Sequence, residues 1–383
     1  MTNPINSIAE AIPEVARPKE ARLGFREKLK WTLIILVSFY VLSLIPLYGM
    51  DPSSIQRFEF FSTILGASFG SLITLGIGPI VTASIVLQLL VGAGIIKLDL
   101  TTKEGRETFQ SMQKLLSIIF IVLEAAVYVF MGGLAPSRTL TGSSYFYMQL
   151  FLILQIVIGG LLILYMDEVV SKWGFGSGIS LFILAGVARQ VFVRAFNPLP
   201  SPTNPDMPSG AIPGMLKAIS MGDPTAAAIL LSSILATLLV FFIVVYAQAI
   251  RVEVPLSYGM VRGYGVRWPL RFFYTSNIPV ILIAALLANI QLFGRLITGN
   301  EYSWLQGVNI VQKLITNSLA PRDLLQALVY IAIMVFGSVV FSLFWVQTSG
   351  LDAKSQARQI AASGLQVAGF RRCLLYTSPS PRD

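Results

Sequence analysis

Residues 60–96 read FFSTILGASFGSLITLGIGPIVTASIVLQLLVGAGII and contain no charged side chain. A helix that crosses the hydrocarbon core of a bilayer needs about 20 apolar residues, so this run is too long for one span and too short for two. Gly78 precedes Pro79, and glycine permits a break in the chain just where proline favours the start of a helix. The pattern predicts a short half-helix over about residues 58–73, then a break, then a full span over about residues 78–95.

The predicted half-helix is too short to cross a bilayer. Irregular backbone at membrane depth is tolerated only where protein buries it or where it lines a water-filled cavity. The sequence therefore predicts a cavity or channel interior beside this segment. A re-entrant or surface-lying structural segment is the alternative, and composition alone does not separate the two.

The rest of the chain repeats the pattern of long apolar runs. Hydrophobic residues make up 55% of the sequence and charged residues 12%, whereas a soluble domain carries about 25% charged residues. The further runs, one of them short and one broken only by Glu124, lie at residues 31–50, 115–136, 139–166, 173–188, 224–250, 272–294 and 324–351. Backbone polar groups in hydrocarbon must bond internally, so runs of this kind form helices. The predicted fold class is an all-α polytopic membrane protein with about eight spans.

The basic residues predict the orientation of these spans. With the N-terminus in the cytoplasm, 20 of the 28 lysines and arginines fall on the cytoplasmic side, as is usual for membrane proteins. We therefore expect a multi-pass protein of the cell membrane with a cytoplasmic N-terminus and, because the first 30 residues are polar, no cleaved signal peptide. The net charge of +9 is then mainly a topology signal, although a basic cytoplasmic face also suits ribosomal RNA.

The composition excludes several kinds of chemistry. The chain has no histidine, the commonest general base and metal ligand, and one cysteine, Cys373. Zinc proteases, haem proteins, histidine-based hydrolases and internal disulfides are therefore excluded, and an intramembrane enzyme would lack its base. The run Gly174, Gly176 and Gly178 follows no predicted strand, so it does not predict a dinucleotide site. A secondary transporter with a broken-helix substrate site stays open, although Glu124 is nearly alone as an intramembrane charge.

A series of polar and glycine-rich motifs punctuates the apolar runs. They are IPEV at 12–15, EKLKW at 27–31, ITLGIGPIVT at 73–82, QLLVG at 88–92, QKLLS at 113–117, DEVVSKWGFGSGI at 167–179, RVEVPL at 251–256, SNIPVI at 276–281, ANIQL at 288–292 and FWVQTSGLD at 344–352. In this order they resemble the SecY family, the protein-conducting channels of the general secretory pathway. The resemblance covers about residues 12–372 and is closest to the archaeal and eukaryotic branch.

The resemblance implies a SecY-type helical bundle with a plug half-helix. Its divisions would be a cytoplasmic N-terminal segment at 1–30, a first half with spans 1–5 at 31–194, an external loop at 195–223, a second half with spans 6–8 at 224–347 and a cytoplasmic loop at 348–372. The family has ten spans, so two more are expected after residue 372. Residues 373–383 depart from the family pattern, and the second half is therefore expected to be incomplete.

The resemblance also implies which residues close the pore. A ring of aliphatic side chains would close the waist by excluding water, without specific bonds to a passing chain. The matching ring residues are Ile77, Val81, Ile179, Ile183 and Ile281. The half-helix over about residues 58–73 matches the plug of the family, which moves aside during translocation. The candidate plug residues are Phe61, Ile64, Leu65, Gly66, Ser68 and Gly70.

Three polar residues, Thr82, Glu124 and Asn289, lie within apolar spans. A carboxyl group inside a span is costly and marks a candidate functional site. The resemblance implies a lateral gate between the second and third spans and the seventh and eighth. There, a hydrogen-bonded cluster would hold the seam shut until an apolar signal sequence replaces it. A static interhelical polar contact, which contributes roughly 0.6 kcal/mol, is the alternative.

The basic loops at 251–271 and 346–372 match the surface on which the family docks the ribosome or another cytoplasmic motor, and phosphate-rich RNA would favour such a surface. The candidate docking residues are Arg262, Arg267 and Arg358.

The resemblance implies a heterotrimer with a SecE-type clamp subunit and a small peripheral third subunit. It also implies contacts with signal sequences, nascent chains and membrane lipid, and neither a catalytic residue nor a cofactor. The predicted function is the central pore-forming subunit of the general secretory translocon, which passes unfolded polypeptides across the membrane and releases apolar segments sideways into lipid.

Overall fold

The computed structural model describes residues 13–18, 23–50, 70–92, 95–96, 98, 102–131, 134–137, 142–200, 206–258, 265–275, 278–298, 303–305, 307–348, 352–362 and 365–367. Within these ranges the chain is mostly helical, as the apolar runs predict. A small β-sheet accompanies the helices.

The first half of the described chain is a packed group of helices. These are α1 (Phe25–Leu44), α2 (Gly78–Gly92), α3 (Lys103–Phe130), α4 (Ser143–Trp173) and α5 (Gly178–Phe196). Helix α4 contacts α1, α3 and α5, and α3 in turn contacts α2. Helix α4 is therefore the centre of this half, and α2 lies at its border.

The second half contains α6 (Ala211–Met221), α7 (Pro224–Ala249), α8 (Ile278–Thr298), a 3₁₀ turn (Ser303–Leu305), α9 (Ile310–Ile315), α10 (Pro321–Thr348) and α11 (Ala353–Ala362). Helix α7 begins after Asp223, whose carboxylate accepts the N–H groups of Thr225 and Ala226 at 3.0 and 3.1 Å. Helix α8 packs on α10, and both contact α2. Helix α2 thus joins the two halves.

The predicted break before α2 is confirmed. Residues 70–77 form consecutive turns, with positive φ angles at Gly70 and Gly76, and α2 begins at Gly78. The segment is almost entirely buried, as irregular backbone at membrane depth must be. The predicted half-helix does not extend over residues 70–73, which are turns. Its remainder lies outside the described residues.

Two glycines of α4 allow the irregular segment and α3 to approach closely. A Cβ atom added to Gly159 would lie 1.7 Å from the carbonyl oxygen of Leu72, and one added to Gly160 would lie 2.8 Å from Cγ2 of Ile121. Only a residue without a side chain fits such distances. The turns before α2 therefore rest directly on the backbone of α4.

A three-stranded antiparallel sheet follows α7, in the region where the sequence predicts only basic loops. Strands β1 (Arg251–Tyr258), β2 (Gly265–Arg271) and β3 (Leu365–Val367) have the order β2-β1-β3. Alternating apolar residues in β1 carry the period of a strand, but Pro255 indicates a turn in a basic loop. The all-α class describes the membrane part of the chain, and the sheet adds to it.

Among the described residues, α3, α4, α5, α7 and α10 are long and apolar enough to cross a membrane. Helix α1 begins in charged residues, and the described apolar parts of α2 and α8 are shorter. The span predicted at 173–188 lies later, because the chain turns at Gly176 with a φ of 72° before α5 begins. The predicted loop at 195–223 contains α6. A multi-pass helical membrane protein is confirmed.

Candidate functional site

A chain of hydrogen bonds connects three helices in the middle of the bundle. The amide Nδ2 of Asn289 in α8 donates to Oγ1 of Thr82 in α2 at 2.8 Å. The Thr82 hydroxyl lies 3.3 Å from Oε1 of Glu124 in α3 and 2.9 Å from the carbonyl oxygen of Gly78. It has one hydrogen, so it can donate to one of these two acceptors at a time. We call Thr82, Glu124 and Asn289 the polar seam.

The polar seam lies in apolar surroundings. Glu124 is 2% exposed and Asn289 is 6% exposed. The neighbouring helical positions are buried and aliphatic: Val81, Ile85, Ile121, Ala125, Ala285 and Ala288. A buried polar group without a partner costs about 1–3 kcal/mol, so contacts among the three residues reduce the cost of burying them. The three residues that the sequence singles out are thus brought into one contact, which crosses from α2 and α3 to α8.

Two further polar residues of α2 and α8 carry no predicted role. Gln88 in α2 donates to Oγ of Ser84 at 2.9 Å, and Gln291 in α8 donates to the carbonyl oxygen of Leu305. The side-chain oxygens of Gln88 and Gln291 are buried and have no hydrogen-bond partner among the described residues. Both residues stand in motifs quoted above, but an amide in an apolar span gives no sign of its partner.

The five predicted ring residues differ in their burial and in their contact with the central core. Ile77 and Val81 are 2% and 3% exposed and belong to the central core, and the N–H of Val81 donates to the carbonyl of Ile77 at 3.0 Å. Ile179 and Ile183 in α5 are partly buried and pack against the same core. Ile281 in α8 is partly buried and is not part of that core. A closed ring of all five stays a prediction.

Of the predicted plug residues, only Gly70 is described. Its carbonyl accepts the N–H of Leu47 at 2.8 Å, and its own N–H donates to Oγ1 of Thr74 at 3.1 Å. The first of these bonds joins the end of the predicted plug segment to the residues that follow α1, and the second lies within the turns. The other candidates, Phe61, Ile64, Leu65, Gly66 and Ser68, lie outside the described residues.

The predicted docking arginines are only partly described. Arg267 lies in β2, is 78% exposed and pairs with Glu253 of β1 at 3.0 Å. Arg358 lies in α11, and Arg262 lies outside the described residues. The sheet therefore presents Arg267 on an exposed strand rather than on a loop.

Four side chains of α3 and α4 hold an extended N-terminal segment, which the sequence does not predict. Nζ of Lys114 and Lys172 donate to the carbonyls of Pro13 and Val15 at 2.9 and 2.6 Å, and Nε1 of Trp173 donates to that of Ala16 at 2.8 Å. Glu168 accepts the N–H of Val15 and pairs with both lysines. We call residues 13–16 with these four side chains the N-terminal clasp. Only the spacing of Glu168 and Lys172, one helical turn apart, hints at it in the sequence.

No group of three or more histidine, cysteine, aspartate or glutamate side chains that could hold a metal ion occurs within the described ranges. The seam consists of hydrogen bonds between helices, and the clasp consists of hydrogen bonds and ion pairs that hold the N-terminal segment on α3 and α4.

Comparisons with known proteins find relatives that match most of the chain. The family model SecY matches residues 71–374, and the model for the plug domain of Sec61p matches residues 38–70. The protein translocase subunit SecY of Methanothermobacter thermautotrophicus is 44% identical over 377 residues, which cover 94% of this chain and 80% of that protein. The corresponding subunit of Pyrococcus furiosus is 42% identical over 394 residues, with 96% and 83% covered.

Solved structures give the same result. One described as "The structure of a protein conducting channel" has a TM-score of 0.79 and 39% identity, with 97% of this chain and 83% of that chain covered. Sec61 in a canine ribosome-channel complex from the endoplasmic reticulum has a TM-score of 0.75 and 39% identity, with 94% and 81% covered. The similarity therefore extends over nearly the whole chain and includes the predicted plug region.

Proposed function

This chain belongs to the SecY family of protein translocase subunits, and from that premise we propose that its polar seam is the closed lateral gate of the channel. Members of this family are protein-conducting channels rather than enzymes, and the chain is a multi-pass membrane protein of this kind. The family does not support the transporter alternative.

The observation that carries the proposal is the bond from Asn289 to Thr82. It joins α8 of the second half to α2 of the first half, and α2 is in turn bonded to Glu124 of α3. A passage between these helices cannot open without breaking it. Interhelical hydrogen bonds in membranes contribute roughly 0.6 kcal/mol on average and at most about 1.7 kcal/mol. The seam is thus weak enough to open when an apolar segment enters.

The ring and the plug complete the proposed channel. Aliphatic residues at 77, 81, 179, 183 and 281 would seal the waist against water without binding a passing chain. The burial of Ile77 and Val81 and the packing of Ile179 and Ile183 against the same core support this assignment. The plug would be the segment over about residues 58–73, supported by the family model that matches residues 38–70.

The surroundings of the channel follow from the same premise. The N-terminus would be cytoplasmic in the cell membrane, with the first half of the bundle at 31–194 and the second half at 224–347. A SecE-type clamp and a small third subunit would complete a heterotrimer. The ribosome or another motor would dock on the basic loops, which include the exposed strand with Arg267, by attraction to polyanionic RNA.

The seam is tested by Asn289→Ala and Asn289→Leu in a translocation assay with signal sequences of graded hydrophobicity. Asn289→Ala removes the bond to Thr82 and adds no apolar area, so less hydrophobic signals should suffice. For a borderline signal, the ratio of translocated to retained chain should rise about threefold, which corresponds to roughly 0.6 kcal/mol. Asn289→Leu should also shift the threshold, because leucine loses the bond and adds packing.

Gln291 provides the matched control. It is a buried amide two residues farther along α8, and its bond goes to the backbone of Leu305, outside the seam. Gln291→Ala should leave the hydrophobicity threshold unchanged. An unchanged threshold in both Asn289 variants, or an equal shift in Gln291→Ala, would count against the gate and favour a static contact.

A further inference from the structure

The turn between α4 and α5 contains a helix cap that is supplied from an unusual place. The N-cap residue of α5, Ser177, makes no side-chain hydrogen bond to the helix. Instead, Oδ1 of Asp167 in the preceding helix α4 accepts the N–H of Ile179 at 2.9 Å. An acceptor carboxylate at the start of a helix satisfies an otherwise free N–H group and interacts favourably with the helix dipole.

The contact between Asp167 and α5 leaves no free space. A Cβ atom added to Gly178 would lie 2.6 Å from Cα of Asp167 and 2.7 Å from its Oδ1. On its other side the turn is bonded to α1, since the N–H of Phe175 donates to Oγ1 of Thr32 at 3.2 Å. The start of α5 is therefore fixed in position, and the bond at Asp167 is the one that reaches a predicted ring residue.

From this geometry we infer that Asp167 is a positioning residue for the pore ring, since it holds the backbone of Ile179 and thereby sets how far Ile179 and Ile183 reach into the channel. Ile183 follows Ile179 by four residues and lies on the same face of α5, so a shift of the first turn moves both side chains. The inference rests on the proposed ring. It adds that the seal depends on a polar side chain that is not part of the ring.

The ion leak of the resting channel measures the seal. Purified wild-type and variant channel, reconstituted with its partner subunits in planar bilayers without a secretory chain, gives the leak as a conductance per channel. Asp167→Ala should raise it about fivefold, the population ratio that corresponds to the typical loss of one N-cap. Asp167→Asn keeps an acceptor oxygen at the same place, so its leak should stay close to that of the wild type.

Two variants separate positioning from general loss of stability. Gly178→Ala perturbs the same contact from the other side, because its Cβ displaces the carboxylate, and it should also leak. Asp223→Ala removes a comparable cap from α7, which is not a ring helix, and should lower the unfolding midpoint without a leak. If Asp167→Ala cannot be purified, Gly178→Ala decides by the same criterion.

Ile179→Ser and Ile183→Ser distinguish the failure of the inference from the failure of the proposed ring. If neither Ile179→Ser nor Ile183→Ser leaks, the ring assignment of α5 is wrong, and Asp167 has no ring residue to position. If either of them leaks while Asp167→Ala stays at the wild-type level, the positioning role is overturned and the ring stands. An equal leak in Asp223→Ala would also overturn it, since any lost cap would then suffice.

Discussion

Replacement of Glu168 by glutamine tests the N-terminal clasp. The Glu168 carboxylate pairs with Lys172 at 2.7 Å and with Lys114 at 3.2 Å, and it accepts the N–H of Val15 at 3.3 Å. Glutamine has nearly the same size, but it is neutral and has a single acceptor oxygen. Glu168→Gln therefore removes both ion pairs with little change in volume.

The expected loss follows from the exposure of these groups. The side chains of Lys114, Glu168 and Lys172 are 15%, 16% and 16% exposed, so water screens them less than it screens a surface pair. Surface pairs contribute about 0.2–1 kcal/mol each. The lysines keep their bonds to the carbonyls of Pro13 and Val15. We expect the clasp to lose about 1–2 kcal/mol, which makes its open form about 5 to 30 times more populated.

Limited proteolysis measures this opening directly, since a glutamyl endopeptidase can cleave the Glu14–Val15 bond only when the clasp has released it. The cleavage rate tracks the open population when closing is faster than cleavage, so Glu168→Gln should be cut about 5 to 30 times faster. Glu253→Gln is the control, because it breaks an ion pair in the sheet rather than in the clasp. The side chains of Arg267 and Glu253 are 78% and 51% exposed, and the cleavage rate at Glu14 should stay at the wild-type level. A rate for Glu168→Gln within twofold of wild type would show that Glu168 does not hold the clasp closed.

Two further predictions concern glycines at close contacts, one between α4 and the turns before α2 and one between α2 and α10. Gly159→Ala should lower the thermal unfolding midpoint by several degrees, because its Cβ meets the backbone carbonyl of Leu72, whereas Gly24→Ala, with open space around it, should not. Gly92→Ala should loosen the α2–α10 contact, because its Cβ would lie 2.2 Å from the ring of Phe344, and less hydrophobic signals should then suffice for translocation. Phe344→Leu in the same chain should restore the wild-type threshold, and a threshold that does not recover would argue against this contact.

The sequence predicts the break before α2 well, because the cause is local. Glycine and proline act on the backbone through their own geometry, so Gly76 takes a positive φ and α2 begins at Gly78 next to Pro79, as predicted. The polar seam is also visible beforehand, since Thr82 and Asn289 stand out in apolar runs. Their grouping is implied only by the resemblance, since the residues themselves do not show that α2 packs against α8.

The features that the sequence does not predict arise from contacts between distant segments. In the clasp, three of the bonds go to backbone carbonyls of residues 13–16, and every residue carries such a carbonyl. The cap of α5 comes from Asp167 rather than from Ser177, the residue that the capping rule favours. The sheet is not predicted because proline commonly forms turns, whereas Pro255 lies within β1 and pairs with Arg267 of β2.

The weakness of the polar seam would suit it to the proposed role of a gate. Two apolar helices gain little from each other in lipid beyond their packing, because lipid tails are as apolar as their side chains. An entering signal helix can replace the packing between α2 and α8, but its apolar side chains cannot replace the bond from Asn289 to Thr82. The energy of that bond is then the part of the opening cost that a signal must overcome by its own transfer into lipid. Because a buried CH₂ group is worth about 0.8 kcal/mol, a seam of roughly 0.6 kcal/mol places the threshold within reach of a single side-chain change in the signal.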